Sequence, residues 1–341
     1  MKAIGYTRAL PIDDPDALMD IDLPQPTASG RDLLVNVHAI AVNPVDYKIR
    51  QAVSAEPGEH KVIGWDAVGE VVATGDAVTM FKPGDAVFYA GDLNRSGSNA
   101  EYQVVDERLV GRKPKSLSDA EAAALPLTAI TAWELLFEHL ALRKQSPGAT
   151  KKGGEVLLVV GAAGGVGSIL MQLAKALTGA TVVATASRQS SREWVQTLGA
   201  DHVVDHTQDL QPQIDALPVG PVTHVASLNA TGSYFESYTE LLAPFGKIAM
   251  IDDPGPLEIA KLKPKSLSLH WEFMFARSMF HAPDMHEQGA LLNQVAELID
   301  HGHLQTTVGK HLGRINAVNL RAAHEALESG RAIGKIVLEG F

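Results

Sequence analysis

Short apolar runs, cut by glycine, proline and polar turns, divide the chain into a strand-rich first third and a middle where strands alternate with helices. Leu33 to Ile40 alternates or runs apolar, Ala67 to Ala73 reads as a second strand, and Ala86 to Tyr89 as a third, reached through Lys82-Pro83-Gly84-Asp85. Proline then glycine at the central turn positions is type II chemistry. Closely spaced strands with this punctuation predict a small β-barrel-type domain over residues 1–125. From Ser118 the apolar spacing becomes helical over Asp119 to Leu125 and Ala129 to Leu142, with Ser118 or Asp119 as the first cap. Gln145 to Gly154 is a polar loop.

A strand–helix unit then repeats. Strands are predicted at Val156 to Val160, Thr181 to Thr185, His202 to Asp205, Val222 to Leu228 and Lys247 to Ile251, with helices at 165–177, 190–198 and 233–242. That alternation predicts an α/β fold with a doubly wound parallel sheet over residues 126–265. Beyond about residue 265 the pattern changes again. Helices at Glu287 to Ile299 and Ala317 to Glu328, and a last strand at Lys335 to Leu338, are assigned back to the N-terminal domain. Residues 1–125 and 266–341 then form one domain.

The first strand of the repeat is short, β-branched and wholly apolar, as expected of a strand covered on both faces. Gly161, Gly164 and Gly167 follow it, and a helical pattern follows them. Strand, glycine turn and helix in this order mark a dinucleotide-binding Rossmann unit. Gly161 permits the tight turn, Gly164 lets the backbone approach a pyrophosphate, and Gly167 lets the helix lie close on the strand. The helix N-terminus offers N–H groups and a partial positive charge to phosphate.

Which dinucleotide is bound turns on the end of the second strand. NAD-selective domains place a carboxylate there, on the adenosine ribose. Here no Asp or Glu occurs from Ser168 through Arg192; Ser187, Arg188 and Arg192 stand in that stretch. Hydroxyl and guanidinium groups favour a 2′-phosphate, hence NADP(H). Arg188 is assigned to the phosphate and Arg192 to the start of the following helix. His206, after the third strand, either flanks the adenine side or lies in a surface loop.

Composition narrows the classes. The chain has 341 residues, long enough for two domains, and a formal charge of −11, which argues against nucleic acid or an anionic membrane as partner. No apolar run approaches the ~18 residues of a membrane span, and the N-terminus lacks a signal-peptide pattern, so a cytoplasmic protein is expected. There is no cysteine, which excludes disulfides, thiolate catalysis and Cys-based metal sites. Of the 13 histidines, His301 and His303 lie two apart in a polar stretch and His281 and His286 five apart in a predicted loop, and each is read as a solvated or packed histidine rather than a ligand. No metal is expected.

The segments Asn43-Pro44-Val45-Asp46, Gly64-Trp65-Asp66-Ala67-Val68-Gly69, Phe81-Lys82-Pro83-Gly84-Asp85, Leu125-Pro126-Leu127-Thr128-Ala129, Gly161 to Gly167, Leu198-Gly199-Ala200-Asp201 and Gly334-Lys335-Ile336-Val337-Leu338 occur in that order. The ordered set resembles the medium-chain dehydrogenase/reductase superfamily on its zinc-free quinone-oxidoreductase side, and more narrowly the bacterial zinc-type alcohol dehydrogenase-like proteins. The resemblance implies a GroES-like substrate domain, an inserted Rossmann domain and a cofactor cleft. In zinc-dependent relatives a Gly-His-Glu segment supplies a ligand; here Gly64-Trp65-Asp66 has tryptophan instead, and Trp65 is expected to wall the substrate pocket.

By the same resemblance, Asn43 and Thr128 border the nicotinamide, and Gly164, Gly165 and Val166 touch the pyrophosphate. Asn229, Ile251 and Asp252 lie at strand ends where ligands sit. Phe275 and Arg277 are placed near the cleft, and Lys335 is expected to reach a phosphate or ribose. Tyr47 and Tyr89 are candidate proton donors, with a packed aromatic as the alternative for each. Without a Lewis acid, hydride addition to a conjugated acceptor is easier than to a plain ketone, because charge spreads over an enolate or quinol. The expected activity is NADPH-dependent reduction of quinones or α,β-unsaturated carbonyls. The alternatives are an NADP-linked alcohol/aldehyde oxidoreductase and a non-enzymatic NADPH-binding partner or sensor. The family's habit of pairing Rossmann sheets edge to edge implies a homodimer, with Trp271 to Phe280 contributing.

Overall fold

The computed structural model describes residues 1–148 and 153–341; residues 149–152 of the predicted Gln145 to Gly154 loop lie outside that set. The chain forms two compact units, residues 1–130 with 275–341, and residues 131–274. The boundaries expected at 126 and 265 therefore shift. The larger shift has a clear cause: Ser268–Trp271 is a strand that pairs in parallel with Lys247 to Met250 and so belongs to the second unit's sheet. Ser268 and His270 break the apolar pattern that revealed the other strands.

The first unit is built on Asp32–Val42, an 11-residue strand with three antiparallel partners. Its first half pairs with Tyr102–Asp106, its second half with Lys335–Glu339, and Ala67–Thr74 runs along most of it. Register shifts between Leu34 and Val35 and between Val37 and Ala39 bend the strand, which lets it serve partners in different directions. The seven-stranded sheet continues from Lys335–Glu339 to Val308–His311 on one side, and from Ala67–Thr74 to Ala86–Tyr89 and Val110–Arg112 on the other. A separate three-stranded sheet joins Met19–Asp22, Lys2–Tyr6 and Lys61–Val62. Most of the long strand is buried; Asp32, Asn36 and His38 are its partly exposed positions.

The helical segment after Ser118 is more broken than its spacing predicts. Ser118 caps Asp119–Ala123 in a capping box with Glu121. Pro126 opens Pro126–Trp133, which passes into a π-helical stretch, Glu134–His139, where Leu140 N bonds to Leu135 O. Ala141, with φ of 52°, ends it. Asp119–His139 is long and apolar enough to cross a membrane, but its side chains are mostly buried within the protein.

A charged group at this segment's start has a testable effect. His38 Nδ1 lies 2.9 Å from Asp119 Oδ2, and Lys113 is 3.1 Å from Asp119. The hydrogen bond to Asp119 raises the His38 pKa, against partial desolvation. The His38 bond and the neighbouring Lys113 hold Asp119 below the usual carboxylate range. The His38 contribution is complete below the unfolded histidine value, about 6.5, and is lost as pH rises through the higher folded value. The pair is half exposed, so solvent screening limits it to about 0.5 kcal/mol. His38→Gln should remove the part of the stability loss that sets in above about pH 6.5 in urea unfolding; an unchanged pH profile would show that the pair contributes nothing.

The second unit is a six-stranded, fully parallel sheet in the order His202–Val204, Thr181–Thr185, Val156–Val160, Val222–Ser227, Leu242–Met250, Ser268–Trp271. Counted along the chain this order is 3-2-1-4-5-6, the doubly wound arrangement. Every residue of Val156–Val160 is buried, as its apolar run requires. Leu158, Val160, Val183, Val225 and Ile248 pack with Phe235 and Tyr238 of the helix Thr231–Leu241. Strand order reverses beside Val156–Val160, so the crevice for a ligand opens at the C-terminal end of that strand.

Candidate active site

The glycine turn lies at that point of the second unit. Gly161 has φ of 81°, a backbone region that L side chains avoid, and a Cβ there would stand 2.9 Å from Asn229 Oδ1. Gly164 N closes the turn on Gly161 O at 3.1 Å. A Cβ on Gly167 would meet Ala162 O at 2.4 Å, so the helix Gly165–Leu177 can lie this close to the turn only with glycine. Gly164 is the N-cap and supplies no side-chain acceptor. The first-turn N–H groups, from Gly165 and Val166 onward, have no acceptor within the helix. Gly164, Gly165 and Val166 are partly exposed. Uncapped donors and a positive helix end fit a pyrophosphate.

Beside the turn, Ser187 follows the second strand, and its Oγ lies 3.4 Å from His206 Nε2. His206 Nδ1 is buried and has no hydrogen-bond partner. Tyr234 OH donates to His206 O at 3.1 Å and holds the loop. Arg188 is exposed at the N-cap of Gln189–Thr197. Arg192 donates to Ala186 O at 3.0 Å and Val203 O at 3.3 Å, so its guanidinium braces two strand ends. The structure thus brings His206 to Ser187 and gives Arg192 a bracing role of its own.

The remaining predicted contacts of this unit differ in availability. Asn229 is exposed next to Gly161. Ile251 is partly exposed, and its N–H bonds to Ser227 O. The Asp252 carboxylate accepts from Thr231 N at 2.9 Å and from Thr231 Oγ1, so it caps the helix Thr231–Leu241. That local role was not visible in the sequence, where Thr231 and Asp252 are 21 residues apart.

The first unit contains a buried ionic cluster. Asn43 ends the long strand and caps Pro44–Ala52. Its N–H donates to Asp46 Oδ2 at 2.5 Å and its Nδ2 to Asp66 Oδ2 at 2.8 Å. Lys335 Nζ donates to Val42 O at 2.8 Å, to Asp66 Oδ2 at 2.8 Å and to Asn43 Oδ1. Leu127 N donates to Asp66 Oδ1 at 2.7 Å. All four side chains are buried, Asp66 completely. Burial raises the Asp66 pKa, while Lys335 and the hydrogen bonds to the carboxylate oppose that. Burial also pushes Asp46 up to about 7, against the hydrogen bond from Asn43 N.

This cluster engages Lys335, which the resemblance pointed toward a phosphate or ribose. An ammonium has three donors, and here all three bond within the first unit, leaving none for phosphate or ribose. Asn43 is in the same position: its amide is engaged at both ends. Thr128 is buried and its Oγ1 donates to Leu125 O at 3.1 Å. Of the candidate donors, Tyr47 is partly exposed, whereas Tyr89 is buried with an unpartnered hydroxyl whose pKa burial raises further. Phe275 packs edge-on to Trp65 at 6.2 Å, and Arg277 binds Asp284 at 3.0 Å. Asp66 is the residue that sequence reasoning missed. A lone acid between apolar neighbours in Gly64-Trp65-Asp66-Ala67-Val68, matched by a lone lysine before Ile336-Val337-Leu338, was the available signal.

Comparison with known proteins adds identity to this geometry. Residues 29–115 match the alcohol dehydrogenase GroES-like domain and residues 198–338 the zinc-binding dehydrogenase family. A zinc-type alcohol dehydrogenase-like protein of Staphylococcus aureus (strain COL) is 40% identical over 343 residues, covering 99% of both chains. The 2-methylene-furan-3-one reductase of Solanum lycopersicum is 35% identical over 280 residues, 77% of this chain and 68% of that one. A solved structure from Rhizobium etli CFN 42, assigned to the zinc-dependent alcohol dehydrogenases, has 52% identity and a TM-score of 0.95, covering 100% of this chain and 98% of the other. A mycobacterial structure complexed with NADPH has 27% identity and a TM-score of 0.80, with full coverage of both chains.

The parallel sheet, the glycine turn and these matches define a medium-chain dehydrogenase/reductase, an oxidoreductase with a GroES-like and a Rossmann unit. Within that superfamily the chain belongs to the zinc-type alcohol dehydrogenase-like family.

The donor set does not fit the zinc of the family name. Trp65, which by the resemblance stands where zinc-dependent relatives carry a histidine, uses its indole N–H to donate to Asp92 O at 3.2 Å. The adjacent Asp66 has both oxygens engaged by protein donors. Among the described residues, no three His, Asp or Glu side chains converge to hold a metal ion.

Proposed function

We propose that the protein is an NADPH-dependent reductase of quinones or α,β-unsaturated carbonyl compounds that works without a metal. The observation that carries this reading is an Asp66 already occupied by Lys335, Asn43 and Leu127, beside Trp65 where the resemblance places a histidine ligand in zinc-dependent relatives. With no Lewis acid to polarise a plain carbonyl, the favoured acceptor is one whose own conjugation absorbs the incoming electron pair. A bound nicotinamide supplies the hydride. The glycine turn and the helix start at Gly165 hold the pyrophosphate; Ser187, Arg188 and His206 hold the adenosine phosphate. The furanone reductase among the relatives acts on an acceptor of this class by its name.

Acceptor-dependent NADPH oxidation tests the proposal, using a quinone, an enone and a simple aldehyde on protein with and without prior chelation. Turnover of the first two, unaffected by chelation, is expected. Turnover of the aldehyde alone means an alcohol/aldehyde oxidoreductase, and tight NADPH binding with no turnover across the panel means a binding protein. Cofactor choice has its own test. Arg188→Ala should raise KM for NADPH by about 10–100-fold, the value of one charge-assisted phosphate contact, and leave KM for NADH within twofold. Equal effects on both dinucleotides would remove Arg188 from the phosphate.

We propose that the enzyme acts in the cytoplasm as a homodimer. Among the described residues, the strand Ser268–Trp271 pairs on one side, with Leu242–Met250, and Trp271 and Phe273 at its end are 57% and 50% exposed. A second copy would cover this apolar edge. Sedimentation showing only monomer at micromolar concentration would remove the dimer.

A further inference from the structure

Asp66 takes hydrogen bonds from three separate parts of the chain: Lys335 in the last strand, Asn43 at the end of the long strand, and Leu127 in the first turn of Pro126–Trp133. Resting on the reductase reading above, we infer that Asp66 and Lys335 are positioning residues for hydride transfer, which fix at one point Asn43, the turn that carries Trp65 and the helix that carries Thr128. Lys335 orients the Asp66 carboxylate and the Asn43 carbonyl at once, and Asp66 in turn caps the helix through Leu127 N. A shift of either group moves both candidate walls of the acceptor site together. A misplacement of about 1 Å at a reacting pair costs roughly 100-fold in rate.

Asp46 belongs to the same device. Asn43 N donates to its Oδ2, and its Oδ1 is buried without a partner. Lys335 and Asp66 are the charged groups that act on it, and burial holds its proton up to about pH 7. One buried ammonium balances one buried carboxylate. When Asp46 also ionises, Lys335 is drawn by two anions and the anchor on Asp66 loosens.

Lys335→Met in the full chain tests the inference. Three results are expected: faster hydrogen exchange of the 127–133 amides, a dissociation constant for NADPH within about twofold of wild type, and a single-turnover rate at saturating NADPH reduced about 100-fold. Lys335→Arg should restore part of that rate. Unchanged exchange overturns the inference; so does weakened NADPH binding with an unaltered saturated rate, the signature of a lysine on the cofactor. If Lys335→Met does not fold, Asp46→Asn, which keeps an acceptor for Asn43 N, decides: the wild-type single-turnover rate should fall above about pH 7 and the variant's should not. A decline shared by the variant, or a flat wild-type profile, overturns the inference. The exchange measurement needs no acceptor, so a wild-type protein that oxidises no NADPH would sink the reductase reading and leave this one to be judged by exchange.

Discussion

Gly167→Val is expected to abolish dinucleotide binding, with an affinity loss of about 100-fold or more in a fluorescence titration with NADPH. A Cβ at this position would stand 2.4, 2.6 and 2.7 Å from Ala162 O, Cα and C. All three are backbone atoms of the glycine turn, so no side chain can swing away. The helix Gly165–Leu177 must then lift from Val156–Val160, carrying the N–H groups of Gly165 and Val166 away from their common target. Overpacking of this kind costs about 1–3 kcal/mol in the fold, and losing one or two charge-assisted phosphate contacts about as much again in binding. Gly154→Ala is the control, because a Cβ at Gly154 would have open space around it. Its affinity should match wild type. A Gly167→Val protein that folds and still binds NADPH normally would take the phosphates out of the glycine turn.

Arg50→Met should destabilise the first unit by about 3 kcal/mol, seen as a lower midpoint in guanidinium unfolding. The Arg50 side chain is fully buried. Its guanidinium donates to Leu10 O, to Glu328 Oε1 and, from Nε, to His324 Nδ1 at 3.4 Å. It thereby ties the helix Pro44–Ala52, which carries Asp46 and Tyr47, to the helix Ala317–Glu328. Burial, and then the nearby Arg50 charge, lower His324 to about 3, so the ring is neutral and can accept. Methionine fills the volume but leaves a carboxylate, a carbonyl and a ring nitrogen without a donor. Lysine keeps the charge without the fork and should recover less than half of the loss. His324 adds a pH signature. Its folded pKa lies below the unfolded value near 6.5, so its contribution is complete above that value and is lost as pH falls toward about 3. A variant with wild-type midpoint would show that this buried charge holds nothing together.

The second unit was the more legible part of the sequence. Val156–Val160 and Gly161 to Gly167 carry their meaning in neighbouring residues, and the helix Ala317–Glu328 of the first unit has its predicted ends because Asn316 caps it locally. What escaped the sequence is set by distant partners or by backbone detail. Ser268–Trp271 is a strand because Lys247 to Met250 offers a free edge, not because of its own composition. The π-helical stretch Glu134–His139 keeps the apolar spacing of an α-helix and differs only in its hydrogen bonds. The glycine-lysine motif near the C-terminus announced a lysine of consequence, yet its partner Asp66 is 269 residues away. No local pattern encodes such a pairing.

The three partners of Asp32–Val42 have a consequence for biosynthesis. One of them, Lys335–Glu339, follows residues 131–274 in the chain and so is made after the whole second unit. Residues 131–274 hold all six strands of their sheet and can close as soon as they emerge. The N-terminal strands must wait, with Ala39 to Val42 unpaired along one edge and Asp66 lacking its cation, until that strand has been made. Chaperone demand during synthesis should therefore fall on the first-made part of the chain, which is the last to be finished.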